Sequence, residues 1–388
     1  MNCINILSAA LFITSLSCQS SDSGVITGDM QPREYMKLLK GRRVAVVANQ
    51  SSLAGKRHAV DELLSNGVNI ALIFAPEHGF RDMADAGADI ADGKDPETGI
   101  PVVSLYGKTR KPSPENLAGI DAVVFDIQDV GARFYTYIST MHYVMESCAE
   151  NSVMFVVLDR PNPNGFYFDG NMPDSGYKSF VCMHPVPVVH GMTTGEYAMM
   201  INGEGWLEGG KKCNLKVVKC RNYTHRTLYK LPVRPSPNLP NMPAVYLYPS
   251  LCFFEGTVIS CGRGTGSPFQ VFGHPELPDR GFSFIPRSTP GAANPPLMGK
   301  ICYGTDLRNS MDEGIIPQPR LNLEWLITAY QDFPDKQKFF NSYFDVLAGG
   351  PRLREQIIKG MSAEEIRASW KDDLDKFSRI RGRYLIYN

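Results

Sequence analysis

A glutamate and a histidine stand side by side after an apolar run in the sequence ALIFAPEHGFRD, residues 71–82. The run predicts a buried strand that stops at Pro76, so Glu77 and His78 follow its end. Gly79 lets the backbone turn sharply there, because glycine has no Cβ. A carboxyl group among apolar neighbours holds its proton more readily than one in water and can act as a general acid. Glu77 is therefore a candidate catalytic acid; the alternative is a Glu–His pair that only caps the turn.

A second polar cluster lies in DIQDVGARFYTY, residues 126–137. If the preceding strand continues, Asp126 and Gln128 share one face by the two-residue period of a strand. A carboxylate, an amide, the guanidinium of Arg133 and the ring of Tyr135 suit a carbohydrate, which offers hydroxyl groups and apolar C–H faces. The alternative is a salt bridge between aspartate and arginine that organises the loop.

Two later segments also combine polar groups with turns. His190 comes at a predicted strand end in VPVVHGMTTGE, where Thr193 or the next threonine is expected to cap a helix. Glu255 follows aromatic residues in CFFEGTVISCGRGTG, and Arg263 stands inside the glycine-rich part. This loop has neither a Walker nor a dinucleotide pattern, so it is either a tight turn or an anion cradle with Arg263 as its cation.

The elements that must position these groups alternate between apolar runs and helical patterns from about residue 30 to 205. Apolar runs without polar alternation are typical of strands covered on both faces, so we predict an α/β fold with a Rossmann-like, mostly parallel sheet. Ligands bind at the carboxyl ends of such strands, where the polar clusters stand. The proline-rich residues 232–250 predict an extended segment, which divides a domain at 25–240 from a smaller C-terminal α/β domain at 241–388.

Composition excludes some classes of partner. Lys+Arg and Asp+Glu both number 40 in 388 residues, so no basic excess favours nucleic-acid binding. The apolar run of residues 4–18 ends in small residues before Cys18 and predicts an export signal within residues 1–24, with a lipid on Cys18 and a periplasmic, membrane-attached location. The alternative is a disordered apolar tail. Cys213 with Cys220, and Cys252 with Cys261, could form disulfides or remain free thiols.

Seven segments, in order, resemble the NamZ family of bacterial exo-β-N-acetylmuramidases: APEHGFRD, DIQDVGARFYTY, LDRPNP, HGMTTGE, PSPNLP, FEGTVISCGRGTGSPFQ and the ending SAEEIRASWKDDLDKFSRIRGRYLIY. The resemblance implies a Rossmann-like domain, a smaller C-terminal domain and a site in the cleft between them. It also implies release of N-acetylmuramic acid (MurNAc) from the non-reducing ends of peptidoglycan fragments, without a cofactor. The family's motif residues fall on Glu77, Asp126, Gln128, Arg133, Asn162, His190, Asn238, Glu255 and Arg263. Of these, we expect Gln128, Arg133, Asn162, His190, Asn238 and Arg263 to bind the substrate.

Glycoside cleavage needs an acid at the leaving oxygen and a second group opposite the anomeric carbon. We expect Glu77 to be the acid. The second role stays open between Glu255 or Asp126 acting on water and the substrate's own acetamido group, oriented by Asp126 or His190. Arg263 is a candidate for the lactyl carboxylate of MurNAc, and His78 and Tyr135 are expected to contact the sugar.

Three other functions remain as alternatives. A glycan-binding lipoprotein of the cell wall could use the same cleft without catalysis. A metal-dependent hydrolase could use Asp126, Asp129 and His78. A dinucleotide enzyme is disfavoured, because the first strand lacks the glycine fingerprint that such enzymes need.

Overall fold

The structure is a computed structural model that describes residues 24–81, 92–107, 109–310 and 318–387. Residues 1–23 of the predicted export signal, with Cys18, lie outside the described residues. The strands are β1 Arg43–Ala48, β2 Leu53–Ala54, β3 Arg57–His58, β4 Asn69–Ala75, β5 Gly93–Lys94, β6 Pro101–Ser104, β7 Ala122–Asp126, β8 Met154–Leu158, β9 Asn214–Val218, β10 Val271–His274, β11 Ser283–Phe284 and β12 Cys302–Asp306.

The α-helices are α1 Pro32–Leu39, α2 Ala59–Ser65, α3 Pro114–Leu117, α4 Tyr137–Glu150, α5 Thr194–Gly203, α6 Met242–Leu251, α7 Glu324–Asp332, α8 Lys336–Phe339, α9 Tyr343–Ala348, α10 Arg352–Ile358, α11 Ala363–Ala368 and α12 Lys371–Gly382. Short 3-10 helices span Gly28–Met30, Glu208–Gly210 and Cys252–Gly256. Among the described residues, no helix is both long enough and apolar enough to cross a bilayer.

The main sheet of the described chain has seven strands in the order β5-β6-β4-β1-β7-β8-β9. All neighbouring pairs are parallel except the edge pair of β5 and β6. Every residue of β7 and β8 is buried, because helices and loops cover both faces of these strands. The α/β class with a mostly parallel sheet, predicted from the apolar runs, is therefore confirmed.

Two helices begin at capping boxes that can be recognised in the sequence. Thr193 caps α5 in a capping box with Glu196, so each side chain pairs with the other residue's backbone N–H. A second capping box, formed by Ser362 and Glu365 of the sequence SAEE, begins α11 two residues after Gly360, which has a φ of 75°. The C-terminal helical segment breaks once more, at Ser369 and its neighbour, which the sequence pattern did not indicate.

The prediction of an extended segment through residues 232–250 is wrong in its second half. Residues 242–251 form α6, although this helix contains prolines. Asn241 caps it by accepting a hydrogen bond from the Ala244 N–H at 3.0 Å. Pro243 lies in the first turn, where its missing N–H costs no helical hydrogen bond, and Pro249 lies close to the end.

The C-terminal part packs on the sheet domain through a shared apolar core. Its own sheet has the order β10-β12-β11 and is antiparallel. Buried residues of α4, α6 and α9 belong to one hydrophobic cluster that runs through both parts. The seven described cysteines are buried free thiols. Neither Cys213 with Cys220 nor Cys252 with Cys261 forms a disulfide.

Candidate active site

A cavity of about 340 Å³ opens between the sheet domain and the C-terminal part. The first contributes the loops after β4 and β6 and the start of α4, and the second contributes α6, α9 and the glycine-rich loop. Glu77 and Glu255, the two glutamates among the candidate catalytic residues, both line this cavity. Its lining includes Glu77, His78, Tyr106, Arg110, Tyr135, Thr136, Tyr137, Phe180, Ser236, Asn238, Tyr248, Glu255, Arg263, Phe269 and Tyr343.

Glu77 lies in the turn that follows β4, half-buried at the cavity wall. The turn is tight: His78 has a φ of 73° and Gly79 a φ of 88°, both in the left-handed region. The carboxylate oxygen Oε2 of Glu77 accepts a hydrogen bond from the Thr136 hydroxyl at 2.8 Å. The start of α4 therefore fixes the direction of this side chain, and the carboxyl group faces the space where a ligand would lie.

Glu255 lies across the cavity from the sheet domain, on the 3-10 helix Cys252–Gly256. Its Oε1 accepts a hydrogen bond from Nε of Arg263, and the two side chains are 23% and 21% exposed. The Arg263 guanidinium lies 5.2 Å from the centre of the Phe269 ring. This ion pair also borders a second cavity of about 600 Å³, so the two spaces meet at these side chains.

Tyr343, at the start of α9, borders both cavities. Burial raises the pKa of this phenol, and the nearby carboxylates of Glu255 and Glu77 raise it further. The phenol therefore stays neutral and can donate a hydrogen bond near both carboxylates. The two glutamates thus face one space, which a pair of catalytic carboxyl groups requires.

Three of the predicted substrate-binding residues form the wall beside Glu77. The His78 ring nitrogen Nε2 lies 3.4 Å from the Ser236 hydroxyl. Tyr135 donates from its hydroxyl to the Pro235 carbonyl at 2.8 Å, and Asn238 donates to the Gly291 carbonyl at 2.8 Å. The first two bonds hold the segment around residue 236 against the sheet domain, and the third ties it to the C-terminal part. Polar groups of this segment thus lie in the cavity lining.

Asp126 does not line the cavity, which corrects its predicted catalytic role. Its side chain is fully buried, and its two oxygens accept hydrogen bonds from Nε and a terminal nitrogen of Arg160 at 2.5 and 2.9 Å. The same guanidinium binds Asp29 at 2.7 Å, and burial raises the pKa of Asp29 to about 6. This triad ties β7 and β8 to the N-terminal segment. Because both Asp126 oxygens bind Arg160, Asp126 is not available for the metal site that was considered with Asp129 and His78.

Gln128, Arg133 and Asn162 are also buried away from the cavity, which corrects their predicted contacts with substrate. Gln128 donates to the backbone carbonyls of residues 129 and 161, both at 2.8 Å. Asn162 donates to the Met192 carbonyl at 2.8 Å. The guanidinium of Arg133 donates to the carbonyls of Asn171, Val186, Leu347 and Ala348. These side chains cross-link loops and join the two parts of the chain.

His190 lies inside the protein as well, which corrects its predicted place in the site. Its Nδ1 accepts a hydrogen bond from the Met192 N–H at 3.3 Å, and its Nε2 is 3.8 Å from a carboxylate oxygen of Asp129. Burial lowers the pKa of His190 to about 3, and burial raises the pKa of Asp129 to about 7. The imidazole is therefore neutral at physiological pH and lies buried outside the cavity lining.

The profile of the N-terminal domain of the exo-β-N-acetylmuramidase NamZ matches residues 44–243, and that of its C-terminal domain matches residues 246–387. The chain belongs to the NamZ family. Among curated proteins, the peptidoglycan β-N-acetylmuramidase NamZ of Bacillus subtilis strain 168 is 39% identical over 373 residues, which are 91% of this chain and 89% of that protein.

Two crystal structures of DUF1343 family proteins from Bacteroides fragilis NCTC 9343 share the fold of this NamZ-family chain. One is 47% identical with a TM-score of 0.87, and the other is 31% identical with a TM-score of 0.80. In each case the match covers 94% of this chain and 99% of the solved chain.

Several residues of the cavity were missed by sequence reasoning. Thr136 stands within a motif that predicts a carbohydrate site, but its hydroxyl group gives no specific signal. Arg110, Phe180 and Tyr343 come from segments without any catalytic pattern, and only the tertiary fold brings them to this NamZ-family cavity.

One cluster among the described residues could hold a metal ion, and it lies apart from the cavity lining. It consists of Glu146 and Glu150 on α4 with Glu208. Lys111 already pairs with the first two at 2.8 Å, so these carboxylates have a cation of their own. The arrangement is that of a surface salt-bridge network on a NamZ-family helix.

Proposed function

We propose that this chain is an exo-acting glycoside hydrolase that releases MurNAc from the non-reducing ends of peptidoglycan fragments. Membership of the NamZ family supports this activity over a cell-wall protein that only binds glycans. The observation that carries the mechanism is one cavity lined by two glutamates, Glu77 and Glu255, from different parts of the chain.

Glu77 is the general acid in this account. Its carboxyl group donates a proton to the glycosidic oxygen as the bond to the anomeric carbon breaks, so the next sugar leaves as a neutral alcohol. Thr136 donates a hydrogen bond to Oε2 of the Glu77 carboxyl group at 2.8 Å, and this bond orients the carboxyl group at the cavity wall.

Glu255 is the group that acts at the anomeric carbon. Of the two carboxylates predicted for this role, Asp126 is buried outside the cavity and Glu255 borders it. Asp126 and His190, which were expected to orient the substrate's acetamido group in the other alternative, both lie outside the cavity lining. Oε1 of Glu255 accepts a hydrogen bond from Arg263, and its Oε2 accepts one from the Cys252 thiol at 3.6 Å. A thiol is a weak donor, so Oε2 keeps acceptor capacity for the reaction. That oxygen either takes a proton from the attacking water or bonds to the anomeric carbon itself.

Replacement of Glu255 by Gln is expected to lower kcat about a hundredfold, because the amide cannot take a proton or attack carbon. The loss should be similar for good and poor leaving groups, since this residue does not protonate the leaving oxygen. Steady-state kinetics on a series of aryl MurNAc glycosides measure both quantities. A kcat within threefold of wild type would remove Glu255 from the mechanism.

The reaction itself is tested with a disaccharide that has MurNAc at its non-reducing end, followed by mass analysis. Free MurNAc and the second sugar are expected in equal amounts, with one water consumed. The matched control has the two sugars in reverse order and should stay intact. Saturable binding without products would instead support the glycan-binding alternative.

We also propose that the protein acts in the periplasm as a lipoprotein attached through Cys18. The apolar run before this cysteine and a substrate in the cell wall support this location. Replacement of Cys18 by Ser should abolish palmitate incorporation and move the protein from the membrane fraction to the soluble fraction. Equal palmitate incorporation by variant and wild type would contradict the anchor.

A further inference from the structure

Among the described residues, two arginines line the cavity, and they differ in their counter-ions. Arg263 is hydrogen-bonded to Glu255, so its charge is already balanced within the protein. Arg110 lines the same cavity, is exposed to solvent, and has no carboxylate within ion-pair distance among the described residues. An arginine without a counter-ion at the edge of a binding cavity is a ready partner for an anionic group of a ligand.

Packing on an aromatic ring gives Arg110 a preferred position. Its guanidinium carbon lies 4.3 Å from the centre of the Phe180 ring, which also lines the cavity. A planar guanidinium over a ring face is held by cation–π attraction, and its N–H groups remain available at the edge of the plane. That edge can bind a carboxylate through two parallel hydrogen bonds. Lysine, a point charge on a flexible chain, would reproduce the charge but not this geometry.

We propose that Arg110 binds the lactyl carboxylate of MurNAc and is the residue that selects this sugar over N-acetylglucosamine. The inference rests on the proposed function, since it assigns a ligand group within the same cavity. MurNAc differs from N-acetylglucosamine by one lactyl ether, which carries the only negative charge of the monosaccharide. Arg110 replaces Arg263 in this role, because Arg263 already has Glu255 as its partner.

The test compares two inhibitors of 4-nitrophenyl β-MurNAc hydrolysis: MurNAc and its neutral lactyl methyl amide. Wild type should bind the acid about tenfold more tightly than the amide, the size expected for one charge-assisted pair at an exposed site. In Arg110→Gln the two inhibitors should bind equally, and KM for the glycoside should rise about tenfold with kcat little changed. Arg110→Lys should keep part of the preference.

Arg379→Gln is the matched control, because this exposed arginine on α12 does not line the cavity. It should behave as wild type with both inhibitors. An undiminished preference for the acid in Arg110→Gln, or no preference in wild type, overturns the assignment. If wild type does not hydrolyse the glycoside, the proposed function fails, and calorimetric binding of the two inhibitors still decides the role of Arg110.

Discussion

Replacement of Glu77 by Gln lowers kcat for the MurNAc-terminated disaccharide by about 10³- to 10⁴-fold, at the upper end of what general acids contribute. The amide cannot supply the proton that the leaving sugar needs. Its carbonyl oxygen can still accept the hydrogen bond from Thr136, so the turn after β4 and the overall fold should be retained. Product release measured by mass spectrometry gives the rate, and circular dichroism with a melting curve checks the fold.

Thr136→Val is the matched control for this variant. It removes the hydrogen bond that orients Glu77 but keeps the carboxyl group, so we expect a loss of only about tenfold. A Gln variant with activity close to wild type would contradict the assignment of Glu77. A Val variant as inactive as the Gln variant would show that the loss comes from disturbed packing rather than from the missing proton.

Replacement of Asp126 by Asn is expected to lower the free energy of unfolding by about 3–5 kcal/mol, because it breaks a buried ion pair and leaves Arg160 under-compensated. Arg160 would keep Asp29 as its single carboxylate partner. The kcat of the folded fraction should stay within about twofold of wild type, since Asp126 does not line the cavity. Denaturant unfolding and active-site-normalised kinetics measure the two quantities separately.

Asp121→Asn serves as the control on the neighbouring surface. Asp121 precedes β7, is exposed, and accepts a hydrogen bond from the Arg43 N–H at 2.7 Å. Its replacement should cost about 1 kcal/mol or less, as for other exposed polar contacts. Unchanged stability in Asp126→Asn together with a large loss of kcat would return Asp126 to the catalytic set.

The fold was predictable because its signals are local. Each buried strand is a short apolar run, and the cap at Thr193 and the glycine stop at Gly360 can be read from a few neighbouring residues. The helix α6 is not evident from the sequence because proline usually breaks a helix, whereas Pro243 occupies a first-turn position that tolerates proline.

The site was predictable only in part, because a polar residue at a strand end can either face the cavity or bind a buried partner that stabilises the fold. Glu77 and Asp126 both follow apolar runs, yet one faces the cavity and the other is neutralised by Arg160. Asp159 shows the same ambiguity: it accepts hydrogen bonds from Tyr387 and Thr193, and burial raises its pKa to about 6. Which purpose applies depends on partners that are distant in sequence and become neighbours only after folding.

The central claim is that Glu77 protonates the leaving oxygen, and the dependence of rate on the leaving group tests it most directly. The measurement is kcat/KM of wild type and Glu77→Gln for MurNAc glycosides whose leaving groups range from acidic nitrophenols to a sugar alcohol. We predict a steep dependence in the variant and a shallow one in wild type, so acidic leaving groups recover most of the lost rate. Equal slopes for the two enzymes would contradict the claim, because the glutamate would then contribute nothing to protonation of the departing group.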